Sequence, residues 1–556
     1  MSMKPHGLEP IPEETRLLAQ RLCPKGTLVT QLRDAPGPIY SDEAFAHLFP
    51  KRGRPAEAPW RLALVTVLQA IEGLTDRQAA EAVHTRIGWL YALALPLEKP
   101  GFDYSILTDF RQRVLAAQAQ DLLLEPILHL CREHGWLKAH GKQRTDATAI
   151  VARVRALNSL ESVGESMRAA LNALAEQEPE WMRAHLNPAW YERYVHRFEL
   201  ARFPKAETQR QLLREQVGVD VGQLLACIDE ETTPESVRSE PSVALLRQVF
   251  AQHYEQQGTQ IRWRDGPAVS NAERVVSPYD PEARSSRKRD RVWLGYKVHL
   301  TETCDQDPAC PHLITHVETT VATLQDSEML APIQAQLRAK DLAPAEHYVD
   351  QGYPSGPQLV QQAQVGTQII GPVGQDPSWQ QREHTGYAVS DFPLDEQAQV
   401  ATCPQGQQSV SWTQKQDRRQ HPTVVIRFAT ATCRACPVRA QCTRGQEGRT
   451  LTLTPPDVRA ALLQRRAEQR TPAFVQQYAL RAGVEGTISQ AVRTTRLRRT
   501  PYDGLPKTHL HHVAIAAGLN LKRIAAHLHA LSLDRPSRPA RPLSPLARLQ
   551  DKEASG

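Results

Sequence analysis

Between Lys142 and Gly374 the chain switches repeatedly between two hydrophobic periods, and this switching constrains the fold more than any other feature. In KQRTDATAIVARV, Thr145, Thr148, Ile150 and Val151 favour a strand, and Asp146 lies within it. Further on, Val292, Leu294, Tyr296, Val298 and Leu300 alternate with Trp293, Gly295, Lys297 and His299, a period of two. Residues 312–326 read as the hairpin partner and Ser327–Lys340 as a helix. EHYVDQGYPSG then reads as a short apolar strand ending at Asp350, followed by a glycine turn, and TQIIGPVG as another strand. Strands alternating with helices predict the α/β class: a mixed sheet flanked by helices.

The text before this region is helical. Pro59–Gly73 is an apolar helix closed by glycine, Thr75 caps TDRQAAEAVHTRIGWLYAL, and a third helix begins at Tyr104 or Ser105. Two helices joined by a tight Gly-Leu-Thr turn, with a third to follow, read as a helix-turn-helix unit or equally as a plain three-helix bundle. Gln120–His140 reads as one more helical stretch. The whole chain, 556 residues, is too long for one core. The reading divides it into an N-terminal helical domain (1–118), the start of an α/β core (119–152), a helical insertion without strand signals (153–275), the core continued (276–374), a Cys-rich insertion (375–455), C-terminal core helices (456–530) and a basic disordered tail (531–556). Trp181, Trp190, Tyr191 and Tyr194 of the helical insertion are expected in its core. SPYDPEARSSRKRD reads as a basic, proline-broken loop.

Two acids stand out in the strands. A buried strand aspartate is costly unless paired or bound to a cation, so Asp146 is either a site residue or a cheaper strand-end turn residue. Asp350 ends a strand just before a glycine loop, a frequent active-site position in α/β sheets. A third acid, Glu485, sits in YALRAGVEGTISQAVRTTRLRR, where the period fits a helix and places Tyr478, Arg481 and Glu485 on one face. Gly483 and Gly486 flank the glutamate. Glycine inside a helix costs roughly 1 kcal/mol relative to alanine, so these two ask for space beside the acid, for another backbone or a sugar-phosphate chain. Arg493, Arg496, Arg498 and Arg499 follow, so this stretch suggests a metal ligand working on phosphate, against the blander reading of a solvated basic helix.

The net charge of +6 is mild, but basic residues cluster at Lys51–Arg54, Arg284–Arg291, Arg434–Arg444 and Arg493–Arg499. Candidate DNA contacts are Tyr478, Arg481, Arg493, Arg496, Arg498, Arg499, Lys51, Arg52, Arg54, Arg77, Arg111, Lys288 and Lys297. No apolar run approaches the ~18–20 residues that span a bilayer, and the N-terminus has no apolar signal segment. Both point to the cytoplasm. Of nine cysteines, Cys403, Cys433, Cys436 and Cys442 fall in the Cys-rich insertion. A C-x2-C pair plus two further thiolates fits tetrahedral structural zinc better than free thiols or a redox dithiol.

Taken together, SPYDPEARSSRKRD...WLGYKVHLTETCD, YVDQGY, the CxxC segment and RAGVEGTISQ...LRR...YDGLPKTHL resemble the signature blocks of the DDE transposases of bacterial insertion sequences, most closely the insertion-sequence eleven-eighty-two branch. The resemblance runs from about Ser41 to His529. It implies a fold similar to ribonuclease H, with a mixed five-stranded sheet carrying Asp146, Asp350 and Glu485 as catalytic and metal-binding residues. Related transposases carry Tyr-x2-Arg-x3-Glu-x6-Lys. Tyr478, Arg481 and Glu485 fit it, while Val492 occupies the lysine slot with Arg493 next to it. The implied activity is cleavage and strand transfer of double-stranded DNA with two Mg²⁺ or Mn²⁺ ions. The implied partners are transposon ends, read by the N-terminal helices, target DNA and a second copy of the chain, associated with the nucleoid. The alternatives are a catalytically inactive DNA-binding repressor and a ribonuclease H-like nuclease that cuts without joining.

Overall fold

The computed structural model describes residues 2–532 apart from positions 4, 6, 36, 99, 100, 259, 267, 384, 418 and 419, so nearly all of the expected tail lies outside the described residues. Two compact units divide the chain. One comprises Met1–Lys138, Ala147–Leu324 and Glu485–Gly556; the other comprises Ala139–Asp146 and Gln325–Val484. The strand His140–Val151 contributes residues to each.

In the first unit, Trp60, Leu62, Val65, Leu68 and Ile71 of the Pro59–Glu72 helix are buried. The helix stops at Gly73, and Thr75 forms a capping box with Gln78 to start Asp76–Thr85. The expected single helix after Thr75 breaks at Arg86, whose backbone is extended, and resumes as Ile87–Ala92. Arg86 pairs with Glu72 and lies 5.6 Å from the Trp89 ring centroid, tertiary contacts that outweigh helical period. The stretch expected to be helical over Gln120–His140 resolves into a 3₁₀ turn, Gln120–Leu123, and the helix Glu125–Glu133, before the strand begins at His140. The C-terminal helix Leu505–Ser532 crosses Pro59–Glu72 closely. A Cβ on Gly518 would come within 2.1 Å of Ile71 Cγ1, so only glycine fits there.

The helical insertion carries its own apolar core, including Val163, Met167, Leu174, Trp190, Tyr194, Val221, Leu224 and Val249. Tyr191, expected in that core, is 62% exposed. The insertion also contains a hairpin, Tyr254–Gln257 with Gln260–Trp263, where no strand was expected. Tyr254 faces Trp263 across it, with the rings edge to face and centroids 5.0 Å apart, and such cross-strand aromatic pairs stabilise even short strands.

Arg291–Thr303 pairs antiparallel with Ile314–Val321, as its alternation predicts, and also with Arg284–Lys288. The latter corrects the reading of that segment as a loop: its charges disguise a strand, and charged residues are common on sheet edges. Ala152, just after the long strand, donates its amide to Leu294 O at 2.9 Å.

In the second unit, the beginning of His140–Val151 runs parallel to Pro344–Val349, which runs parallel to Gln368–Ile370. Side chains reinforce this layer: Thr145 Oγ1 lies 2.6 Å from His347 Nε2, and Gln143 Nε2 donates to Leu342 O at 2.7 Å. The Cys-rich region forms a separate three-stranded antiparallel sheet, Ser411–Gln416, Pro422–Arg427 and Thr450–Leu453. Its small core contains Phe392, Ala401, Ile426, Phe428, Leu451 and Leu453. The three strands Arg284–Lys288, Arg291–Thr303 and Ile314–Val321 are thus joined antiparallel in one unit, and the other unit holds both parallel and antiparallel pairs, with helices in each, as expected of a mixed α/β chain. Among the described residues no helix is long and apolar enough to cross a membrane.

Candidate active site

The parallel register pairs Thr145 with Val349. One step further along the two strands stand Asp146 and Asp350, both half-buried. Neighbouring strands lie about 4.8 Å apart, so two carboxylates are carried side by side, Asp146 midway along the strand His140–Val151 and Asp350 just past the end of Pro344–Val349. Asp350 is fixed by a tight turn. Its Oδ1 accepts from Gln351 N at 2.7 Å, and its carbonyl accepts from Tyr353 N at 3.0 Å.

Tyr353 is fully buried. Burial pushes its phenol well above the ordinary range, the carboxylates of Asp326, Asp146 and Asp350 push it the same way, and Arg481 opposes them. The phenol therefore stays protonated. Asp326 opens the helix Asp326–Ala339, and its Oδ2 lies 3.4 Å from where a Cβ on Gly352 would stand. Sequence reasoning missed both Asp326 and Tyr353. The available signal for Asp326 was an acid opening a helix directly after a strand.

The segment expected to be one helix from Tyr478 is interrupted. Pro472–Tyr478 is helical, Ala479–Ala482 is a 3₁₀ turn, and Gly483–Thr494 is helical again. Arg144 explains the interruption. Its Nη1 donates to Leu480 O at 2.7 Å, and the guanidinium fills the space beside Gly483, where a Cβ would sit 1.9 Å from Nη1. Gly483 therefore makes room for protein. At Gly486 nothing lies within 4 Å of where a Cβ would be, so that surface is open. The turn directs Arg481 onto Asp146: Nη2 donates to Oδ2 at 2.6 Å, with the two side chains 13% and 17% exposed. Glu485 is exposed in the first turn of Gly483–Thr494, four residues after Arg481, and opens the last stretch of the first unit.

Two stretches of the chain match known families. Residues 402–525 match the family described as Transposase DDE domain, and residues 20–113 match the Transposase domain (DUF772). These matches support a transposase of an insertion-sequence type. No curated protein matches the chain. The DDE-domain match includes Arg481, Glu485 and all four cysteines of the Cys-rich region. A DDE transposase domain implies a nuclease or transposase that uses divalent metal.

The basic residues expected to serve such a transposase take different positions. Lys51, Arg52 and Arg54 are exposed on a bend, and Lys288 is exposed at the end of an edge strand. Arg77 is exposed, 4.9 Å over the Tyr104 ring. Arg493, Arg496, Arg498 and Arg499 are exposed after Glu485. Three others have structural partners. Arg111 is buried on Asp76 at 2.5 Å, Lys297 Nζ donates to Leu324 O at 2.6 Å, and Tyr478 stacks on Phe474.

Cys403, Cys433, Cys436 and Cys442 line one cavity of about 330 Å³ in the Cys-rich sheet region. Burial pushes the Cys442 thiol up, as do the nearby Cys433, Cys403 and Cys436, while Arg449 opposes this. Among the described residues no group of three or more His, Cys, Asp and Glu side chains is arranged to hold a metal ion.

Proposed function

We propose that the chain is a DDE transposase, nearest the insertion-sequence eleven-eighty-two branch, with a ribonuclease H-like core. It binds the terminal inverted repeats of its element through the N-terminal helices and carries out DNA cleavage and strand transfer. The observation that carries this reading is the placement of Asp146 beside Asp350, with Arg481 on Asp146.

The donor set fits Mg²⁺ or Mn²⁺. Two half-buried carboxylates on neighbouring strands offer hard oxygens, and Mg²⁺ is held by one or two carboxylates with water and phosphate completing its shell. Asp146 and Asp350, with Glu485 as the third acid, are the residues that would hold two ions. Such ions supply Lewis-acid stabilisation of phosphate oxygens and activation of a nucleophilic oxygen.

The protein's own groups have separable roles. Arg481 neutralises Asp146 and keeps adjacent carboxylates from repelling one another, while its remaining donors suit a phosphate oxygen. Tyr353, buried and held protonated, anchors the 350–353 turn, which its amide closes on Asp350 O. The open surface beside Gly486 leaves Glu485 accessible to a sugar-phosphate backbone. With water as nucleophile the outcome is strand cleavage; with a DNA 3′-OH it is joining. A homodimer holding paired ends, association with the nucleoid and a structural zinc on the four cysteines complete the reading.

Asp146→Asn, Asp350→Asn and Glu485→Gln are expected to bind end DNA but not cut a supercoiled donor plasmid with Mg²⁺. Cutting that survives in all three variants ends the assignment. Cutting without joined donor–target product reduces it to a nuclease.

A further inference from the structure

A cavity of about 360 Å³ lies within the first unit, between the Pro59–Glu72 and Ser105–Ala116 helices and the segment from Arg496 into the C-terminal helix. Its floor is a polar network satisfied from within. Asp76 accepts from Gln69 Nε2 at 2.6 Å, from Thr108 Oγ1 at 3.0 Å and from Arg111 Nη2 at 2.5 Å. The Arg111 guanidinium also lies 5.7 Å from the centroid of the Tyr502 ring. This network gives the cavity a fixed shape.

The capacity to bind lies above the floor. Arg496 and Lys507 line the cavity, are exposed, and their side chains make no hydrogen bond or ion pair with any described residue. Arg153 is bridged to Asp503 yet 63% exposed. Four cations thus line the cavity against one carboxylate, Asp76, so it favours an anion. His511 adds a buried Nε2 without a partner. Burial, with Arg111 and Arg496, holds this imidazole down at about 4, so it is neutral at pH 7. Leu74, Leu115, Pro501 and Leu510 supply apolar wall. The volume falls in the range of small-molecule sites, roughly 300–1,000 Å³, and is much larger than a bare phosphate requires.

We propose that this cavity holds one nucleotide, its phosphate on Arg496 and Lys507 and its base against the apolar wall beside Tyr502. The inference rests on the transposase reading and extends it. Arg496 follows Glu485 by eleven residues and lies just past the end of the Gly483–Thr494 helix that carries the acid. A phosphate ester of this kind comes either from a DNA strand or from a free nucleotide.

The test uses the full-length protein, with a fluorescein-labelled single-stranded oligonucleotide of about 20 residues as one probe and dAMP as the other. Lys507→Glu reverses a rim charge, and Gln112→Trp, at an exposed position on the wall, fills the cavity. Each is expected to weaken oligonucleotide binding by about tenfold or more at fixed salt, with an unchanged melting temperature. Failure of dAMP to displace the oligonucleotide assigns the site to a strand. Displacement of the oligonucleotide by dAMP, together with dAMP binding that both variants lose, assigns it to a free nucleotide. Variants that match wild type on both probes, or wild-type protein that binds neither, overturn the proposal. Failure of the transposase reading is separable: Asp146→Asn protein that still cuts DNA, alongside Asp350→Asn and Glu485→Gln, sinks that reading while the effects of Lys507→Glu stand.

Discussion

Arg481 donates to Asp146 at 2.6 Å across a sequence separation of 335 residues. Both side chains are mostly shielded, so the pair is worth more than a surface ion pair, although its remaining exposure moderates the energy. Arg481→Ala leaves Asp146 uncompensated beside Asp350. The expected loss is about 1–3 kcal/mol by denaturant unfolding. Millimolar Mg²⁺ is expected to raise the melting temperature of Arg481→Ala more than that of wild type, because the ion replaces the missing charge. Equal shifts count against a cation site at these acids.

Gly483 and Gly486 are expected to respond oppositely to alanine. At Gly483 the new methyl meets the Arg144 guanidinium, which is pinned to Leu480 O, so Gly483→Ala costs about 1–3 kcal/mol. Gly486 faces open space in a helix, so Gly486→Ala is neutral or stabilising by up to about 1 kcal/mol. Melting curves check both, and DNA cleavage by Gly486→Ala is expected to fall because the methyl narrows the approach to Glu485.

His253 sets a pH window for the helical insertion. It is buried against Trp263, its Nε2 has no partner, and burial, followed by the charge of Arg274, lowers its pKa from 6.5 to about 4. Between these values the unfolded chain binds the extra proton, so stability rises with pH. The contribution is complete above about pH 6.5 and is lost as pH falls towards 4. His253→Phe is expected to flatten this slope in melting temperature against pH; an unchanged slope rejects the assignment.

Zinc on the Cys-rich module is checked by elemental analysis. Purified wild-type protein is expected to carry one zinc per chain, and Cys433→Ser or Cys436→Ser to lose it together with several degrees of melting temperature. Protein free of zinc, with an unaffected Cys433→Ser variant, removes zinc from the description.

Two acids of the candidate site were legible because each interrupts a local pattern. Asp350 closes an apolar strand, and Asp146 is the polar exception in a β-branched run. The break after Tyr478 was not legible, because Arg144, which causes it, lies 336 residues before Leu480. Arg284–Lys288 was missed because charge carries no alternation signal, although pairing with Arg291–Thr303 is a backbone matter. Tyr353 and Asp326 join the acids through packing of a turn against a helix start, and that proximity is not written in either segment alone.

The helical insertion keeps its apolar interior to itself, with Trp190 and Tyr194 packed among its own helices. A segment that folds around private contents can be lengthened, trimmed or traded over generations while the strands on either side hold their pairing. The helical insertion between the first two acids therefore has slack in its length that the short turn between Asp350 and Tyr353 does not have.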